Sequence, residues 1–313
     1  MERLDRCNLC DGKSFALFTE KEGHKTKQLF QIVECEGCGL KFVSPRLSAE
    51  ENHDLYDEAY FNGDGFDDSV NYVLLDAEAH TRVGENAGIL SKIAALKTKR
   101  DIRILDVGCG TGCLLKALTQ AGYKDVWGVE LSEYAARLAA RVEGTKVMTG
   151  DLLDLDLPLG SFDVINATEV IEHLRDPLAS FRRIKELLAP DGVFIYSTGN
   201  ARGLYARILG KWWPYLHPEG HLFYYSPDTL SRYFRKVGLE PLSFTELAEP
   251  ARRAFLSAED QMAHSMLLYI GGSDRGLKGR IFRTVGALEN PIIQRAVTTV
   301  VGKHYLPIAI NRA

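Results

Sequence analysis

The sequence predicts an α/β fold, a doubly wound and mostly parallel sheet, with a small cysteine-bearing element before it and a helical insertion after it. Three observations carry this reading. From residue 102 onward, apolar runs of five or six residues alternate with stretches of helical periodicity, the pattern of strand–helix–strand units. The first of these runs ends in glycines, Gly108, Gly110 and Gly112. Four of the six cysteines fall within the first 38 residues, as Cys7-x-x-Cys10 and Cys35-x-x-Cys38.

Residues 1–48 read as the cysteine element, 49–100 as a linker with N-terminal helices, 101–249 as the sheet-and-helix core, and 250–313 as a helical insertion or lid with a final strand. The linker is rich in Asp, Asn and Gly around Asn62–Gly65, and residues 70–97 carry helical periodicity. Ile102–Val107, Asp125–Glu130, a short stretch near Val147, Phe162–Ala167 and Val193–Ser197 read as strands. Ser132 suits an N-cap for a helix through Arg141. Asp176-Pro177 is a cap followed by a first helical turn, and Ser226-Pro227 starts a further helix that Gly238 stops. Pro190-Asp191-Gly192 reads as a turn. A last strand is predicted at Tyr305–Ile310, although Pro307 sits awkwardly in it because an interior strand needs its N–H.

Composition narrows the function classes. The chain has 313 residues, 45% of them hydrophobic, enough for a sizeable core. No apolar run reaches the ~20 residues that cross a bilayer, and the N-terminus lacks the apolar stretch of a signal peptide. The expected compartment is the cytoplasm, where cysteines serve as ligands or core residues more often than as disulfides. The net charge of −4 gives no general attraction to nucleic acid or anionic membrane. Residues 1–160 carry 19 basic and 27 acidic side chains, a balance of −8, and residues 161–313 carry 19 and 15, a balance of +4. The basic half is read first as solvated surface, and second as a field that favours an anionic small acceptor.

Sheets of this kind bind ligands beyond the carboxyl ends of their strands. Leu105–Gly112 lies there, with glycines that let the backbone turn and approach a ligand. The third glycine comes one residue earlier than in a dinucleotide fingerprint, and position 113 is Cys. Glu130 ends the second strand at the distance expected of a ribose-binding acid, and Asp151, after the third, is placed to reach an adenine amino group. Leu105–Gly112, Glu130, Gly150-Asp151-Leu152 and Phe162–His173, in that order, resemble the successive motifs of class I S-adenosylmethionine-dependent methyltransferases. The resemblance covers roughly residues 80–245. It implies a Rossmann-like fold, S-adenosylmethionine as cofactor, and a cofactor site made of Asp106, Gly108, Gly110, Gly112, Glu130, Leu131, Asp151, Leu152 and Thr168.

The two Cys-x-x-Cys pairs, 24 residues apart, supply four thiolates for a tetrahedral zinc. Four protein ligands leave no open position, so a zinc at Cys7, Cys10, Cys35 and Cys38 is expected to be structural. Methyltransferases acting on sugars and other natural products carry a similar N-terminal zinc ribbon, although the sugar C-methyltransferases among them are longer than this chain.

Glu169-Val-Ile-Glu172-His173 follows the fourth strand, and a helical i, i+3, i+4 spacing would put its three polar groups on one face. His217-Pro-Glu-Gly-His221 comes later, before a helix expected to border the same cleft. The constellation is similar to that of small-RNA 2′-O-methyltransferases and ubiquinone-pathway O-methyltransferases. That resemblance implies a divalent cation on Glu169, Glu172, His173 and His221. Two other readings stay open: His173 as a metal-free base, and His173 as packing. The aromatic segments Trp212–Tyr215 and Phe223–Tyr225 read equally as pocket wall and as core. The expected reaction is methyl transfer to a small molecule, with O-methylation ahead of N- or C-methylation of a sugar or natural product. The rival class is a binding or scaffold protein without turnover.

Overall fold

Where the sequence alternates apolar runs with helical periodicity, the structure places a parallel sheet. The computed structural model describes residues 1–66, 71–73, 83–241 and 308–310. In chain order the strands are β1 (Phe15–Glu22), β2 (Leu29–Cys35), β3 (Lys41–Val43), β4 (Arg103–Val107), β5 (Asp125–Glu130), β6 (Thr145–Thr149), β7 (Phe162–Thr168), β8 (Leu188–Ser197), β9 (Phe223–Tyr224), β10 (Glu240–Pro241) and β11 (Ile308–Ile310). The larger sheet runs β10-β11-β8-β7-β4-β5-β6. Its β6, β5, β4, β7 and β8 are mutually parallel, and β11 and β10 add an antiparallel edge. The chain winds outward from β4 to β6 and returns beside β4 as β7, so the crevice of this Rossmann-like sheet opens past β4 and β7.

The predicted helix starts hold. Asp176 accepts from the Ala179 amide, Pro177 takes the first turn, and the helix Pro177–Leu187 buries Phe181, Ile184 and Leu187. Ser226 and Thr229 form a capping box at the helix Pro227–Val237, which stops at Gly238 with φ 80°. Ser132 caps the helix Glu133–Ala139, which ends two residues before Arg141. Two expectations change. Pro190-Asp191-Gly192 is not a turn ahead of a strand but an irregularity inside β8, with Asp191 at φ 59°. A Cβ at Gly192 would stand 2.8 Å from the Phe162 carbonyl, so only glycine lets the neighbouring strands approach there. Glu169–His173 is not an α-helix: Glu169 has φ 52°, and one 3₁₀ turn covers Ile171–His173. The strand predicted at Tyr305–Ile310 is described only for Ile308–Ile310, while Pro307 and the insertion at 250–303 lie outside the described residues. Of the predicted helix over 70–97, residues 71–73 and 83–97 are described, with the helix Val83–Leu96 among them.

The second sheet runs β1-β2-β3-β9. Its fourth strand comes from residues 223–224, far along the chain from the first three, and pairs Phe223 with Phe42 and Tyr224 with Lys41. One continuous core includes Cys7, Cys35, Leu40 and Phe42 of the N-terminal element together with Leu105, Phe181, Phe223 and Tyr233. The cysteine element is thus packed into the protein beside the main sheet.

Candidate active site

At the carboxyl end of β4 the chain turns through three glycines with positive φ, Gly108 at 68°, Gly110 at 54° and Gly112 at 91°. The amides of Gly108 and Cys109 both donate to the Val129 carbonyl of β5, at 2.8 and 3.1 Å. Glu130 ends β5 and is buried. Its Oε2 accepts from the Gly110 amide at 2.8 Å and its Oε1 from the Ser132 amide at 2.9 Å. Burial raises the Glu130 pKa against these two hydrogen bonds. A Cβ on Gly110 would meet nothing within 4 Å, so the backbone there faces open space. One on Gly108 would come within 2.5 Å of Val170, which joins the loop to the segment after β7. Asp106 accepts from the Asn166 side-chain amide at 2.8 Å, and Asn166 Oδ1 accepts from the Thr168 hydroxyl at 3.1 Å. The Gly150 amide donates to the Glu130 carbonyl, which brings the end of β6 against that of β5. Asp151 beside it is exposed and accepts from the Leu153 amide, Leu152 is buried, and Leu131 is half-buried.

Beyond β7 lies a second group of polar residues. Glu169 Oε1 accepts from Ser197 at 2.8 Å and its Oε2 lies 2.9 Å from the Tyr215 hydroxyl. The same hydroxyl makes a very short contact with Glu172 Oε1. A phenol has one proton, so its two contacts with carboxylates require a second proton on one of them. Burial, and then the Glu172 charge, push the Glu169 pKa up to about 8. Glu172 is fully buried, its pKa is raised by that burial, and its Oε2 finds no hydrogen-bond partner among the described residues.

His173 Nδ1 lies 3.0 Å from the Gly220 carbonyl, and His221 Nδ1 lies 2.7 Å from the Tyr215 carbonyl. A carbonyl oxygen only accepts, so in each of these hydrogen bonds Nδ1 is the donor. Burial holds His221 well below the usual histidine range, with the His173 and His217 charges adding to it. His173 Nε2 is 3.8 Å from Glu172 Oε1, the two imidazoles sit 4.8 Å apart, and one ligand atom from each of Glu172, His173 and His221 lies within 4.8 Å of the others. Glu169 is not in this cluster. Its oxygens are turned to Ser197 and Tyr215, because its positive φ sends the chain away from the helical path that would have aligned it with Glu172.

The four cysteines converge. Cys7 and Cys38 sulfurs are 3.5 Å apart, Cys10 and Cys35 likewise, and all four lie within 4.8 Å. These separations exceed a disulfide of about 2.05 Å and suit a tetrahedral zinc, whose sulfurs lie about 3.8 Å apart for bonds of about 2.3 Å. Hydrogen bonding from Cys7 holds the Cys38 thiol down to about 5. In the second knuckle Gly39 takes the left-handed conformation, φ 73°, but in the first it is Asp11, φ 62°. Gly12 instead leaves room beside the sulfurs, since its Cβ would stand 3.2 Å from Cys10 Sγ.

Sequence reasoning missed four residues here. Tyr56 places its hydroxyl 2.9 Å from His173 Nδ1. In the sequence Tyr215 stands among aromatics, and the structure makes it the hydroxyl between two glutamates. Glu219 accepts from the Lys25 and Thr26 amides at 3.0 and 2.6 Å. Lys21 lies close enough to His221 for its charge to act on the imidazole. The signal for Tyr215 and Glu219 was their nearness to His217 and His221 in the chain. Trp213 and Phe223–Tyr225 are core, and Trp212 is exposed.

A sequence model described as a methyltransferase domain matches residues 79–243. A ubiquinone biosynthesis O-methyltransferase of Bordetella avium is 35% identical over 151 residues, 44% of this chain and 62% of that protein. One of Aromatoleum aromaticum is 31% identical over 170 residues, 50% of this chain and 68% of that protein. The chain thus spans about three-fifths of the length of the first of these relatives. The crystal structure of a methyltransferase dependent on S-adenosylmethionine from Thermotoga maritima aligns with a TM-score of 0.42 at 25% identity, covering 54% of this chain and 78% of that one.

Proposed function

Given that the chain belongs to the class I S-adenosylmethionine-dependent methyltransferases, we propose that it methylates a hydroxyl oxygen of a small-molecule acceptor beside a divalent cation held by Glu172, His173 and His221. The convergence of those three side chains carries the reading. Each imidazole is oriented by a hydrogen bond between Nδ1 and a backbone carbonyl, the arrangement that orients histidine ligands of metals. The unpartnered, fully buried Glu172 oxygen would gain a partner in a cation. Glu169, expected as a fourth ligand, stands outside the set.

A divalent cation supplies Lewis acidity, which lowers the pKa of an acceptor hydroxyl. The protein supplies position. The glycine loop and Glu130 would hold the amino-acid and ribose parts of S-adenosylmethionine, with Asp106, Leu131, Asp151, Leu152 and Thr168 around them. The methyl group then faces the His173 side of the crevice for in-line attack. Zinc on the four cysteines is proposed as structural. The two ubiquinone biosynthesis O-methyltransferases among the relatives support oxygen as the acceptor atom. Lys21, half-buried and without an ion-pair partner among the described residues, favours an acceptor with negative charge.

The test is a screen of hydroxyl-bearing acids with S-adenosylhomocysteine formation as readout. Under this reading Glu172→Ala, His173→Ala and His221→Ala abolish turnover alike, and a chelator silences the enzyme while the cysteine-bound zinc stays in place. A second reading, His173 as lone base, rests on its place after β7, with Nε2 3.8 Å from Glu172. It predicts no chelator effect and a loss on the order of 10²–10⁴ in rate for His173→Ala only. A His173→Ala enzyme with wild-type turnover would defeat both.

A further inference from the structure

The loop that carries His221 is gripped from the N-terminal sheet. Glu219 is 2% exposed, and its carboxylate accepts from the amides of Lys25 and Thr26, in the hairpin turn between β1 and β2. Its own carbonyl accepts from Asn52 at 3.3 Å. The next residue, Gly220, offers the carbonyl that orients His173, and the residue after that is His221 itself. The loop then continues through Leu222, whose amide donates to the Glu172 carbonyl and whose carbonyl accepts from Val43, into β9 of the N-terminal sheet. The Gly220 carbonyl that orients His173 and the backbone of His221 thus belong to a segment clamped to the cysteine-bearing element.

We infer that Glu219 is a positioning residue, a latch through which the β1–β2 hairpin sets the orientation of His173 and His221. The contact can be broken from either side. A Cβ at Gly23, at the start of the hairpin turn, would stand 2.5 Å from Glu219 Cδ and 2.6 Å from its Oε1, and Gly23 has no positive φ that a side chain would strain. Alanine there must displace the carboxylate. Two changes 196 positions apart in sequence then act on one hydrogen-bonded contact. Their effects are expected not to add.

The inference rests on the roles proposed for His173 and His221, and its main readout is independent of turnover. The full chain is labelled with ¹⁵N-histidine, and the Nδ1-bound proton signals of His173 and His221 are assigned with His173→Gln and His221→Gln. In Glu219→Gln and in Gly23→Ala those signals shift and broaden as both rings lose their carbonyl partners, while affinity for S-adenosylmethionine is unchanged. The double variant looks like either single one. With a responsive acceptor, turnover falls on the order of 100-fold, the cost of misplacing a reacting group by about 1 Å, and the KM for S-adenosylmethionine stays put. Unchanged histidine signals in both folded single variants would overturn the latch, whatever the histidines prove to do. Altered signals combined with wild-type turnover in His173→Ala would overturn the proposed chemistry and leave the latch standing.

Discussion

Glu130 serves two partners at once. Its carboxylate braces the glycine loop through the Gly110 amide and starts the next helix through the Ser132 amide, and in the proposed site each oxygen keeps a lone pair for a ribose hydroxyl. Replacing it with alanine removes a charge-assisted hydrogen bond, worth about 1.5–3 kcal/mol. Glu130→Ala is therefore expected to weaken binding of S-adenosylmethionine about ten- to a hundred-fold, measured by calorimetry on folded protein. Unchanged affinity would place the ribose elsewhere. Gly108 offers a sharper steric test. A side chain there needs a left-handed backbone, at about 1–2 kcal/mol, and drives into Val170. Gly108→Ala should lose stability in denaturant titrations, and Val170→Ala in the same chain should restore part of it. The places of Glu130 and the glycines at the ends of β5 and β4 were legible from spacing alone. Tyr215 was not, because nothing in Trp-Trp-Pro-Tyr says that its hydroxyl reaches two glutamates more than forty residues away.

Helix ends and metal knuckles are the elements most open to measurement. Ser226 caps the helix Pro227–Val237 with a complete capping box. Ser226→Ala should cost about 1 kcal/mol of unfolding free energy, with affinity for S-adenosylmethionine intact. The cysteine knuckles should hold one zinc per chain by elemental analysis, and less than half an equivalent in carefully prepared protein would count against the site. Cys38→Ser should lower both zinc content and turnover. Two strands of the cysteine element's sheet lead from the knuckles to β9, and β9 begins two residues after His221. A merely peripheral zinc would leave turnover alone.

Over the whole molecule the proposed site divides into a half that would hold the methyl donor and a half that would handle the acceptor. The first is built from the ends of β4, β5 and β6, the second from the segment after β7 and the loop before β9. A ligand that binds only the folded state raises its stability by mass action, about 2.7 kcal/mol at a hundredfold excess over Kd. S-adenosylmethionine should therefore raise the melting temperature of wild type and of His173→Ala equally, and that of Glu130→Ala much less. A lost thermal shift in His173→Ala would mean that the two halves are not separable.

The sequence by itself determined what depends on neighbours in the chain. Apolar periodicity marked β4, β5 and β7, capping chemistry marked the helices at Pro177 and Pro227, and the Cys-x-x-Cys spacing marked the sulfur cluster, because each of these is enforced within a few residues. The same locality explains the error at Glu169–His173. Helical spacing promised three polar groups on one face, and a positive φ at Glu169, tied to Ser197 of the neighbouring strand, turned one of them away. Only the tertiary structure decided which side chains meet. It brought His221 to His173 across 47 intervening positions, joined β9 to the cysteine sheet, and set Glu219 in a hairpin turn that lies nearly two hundred residues earlier. Such contacts follow from how layers pack, and no local pattern in the chain encodes them.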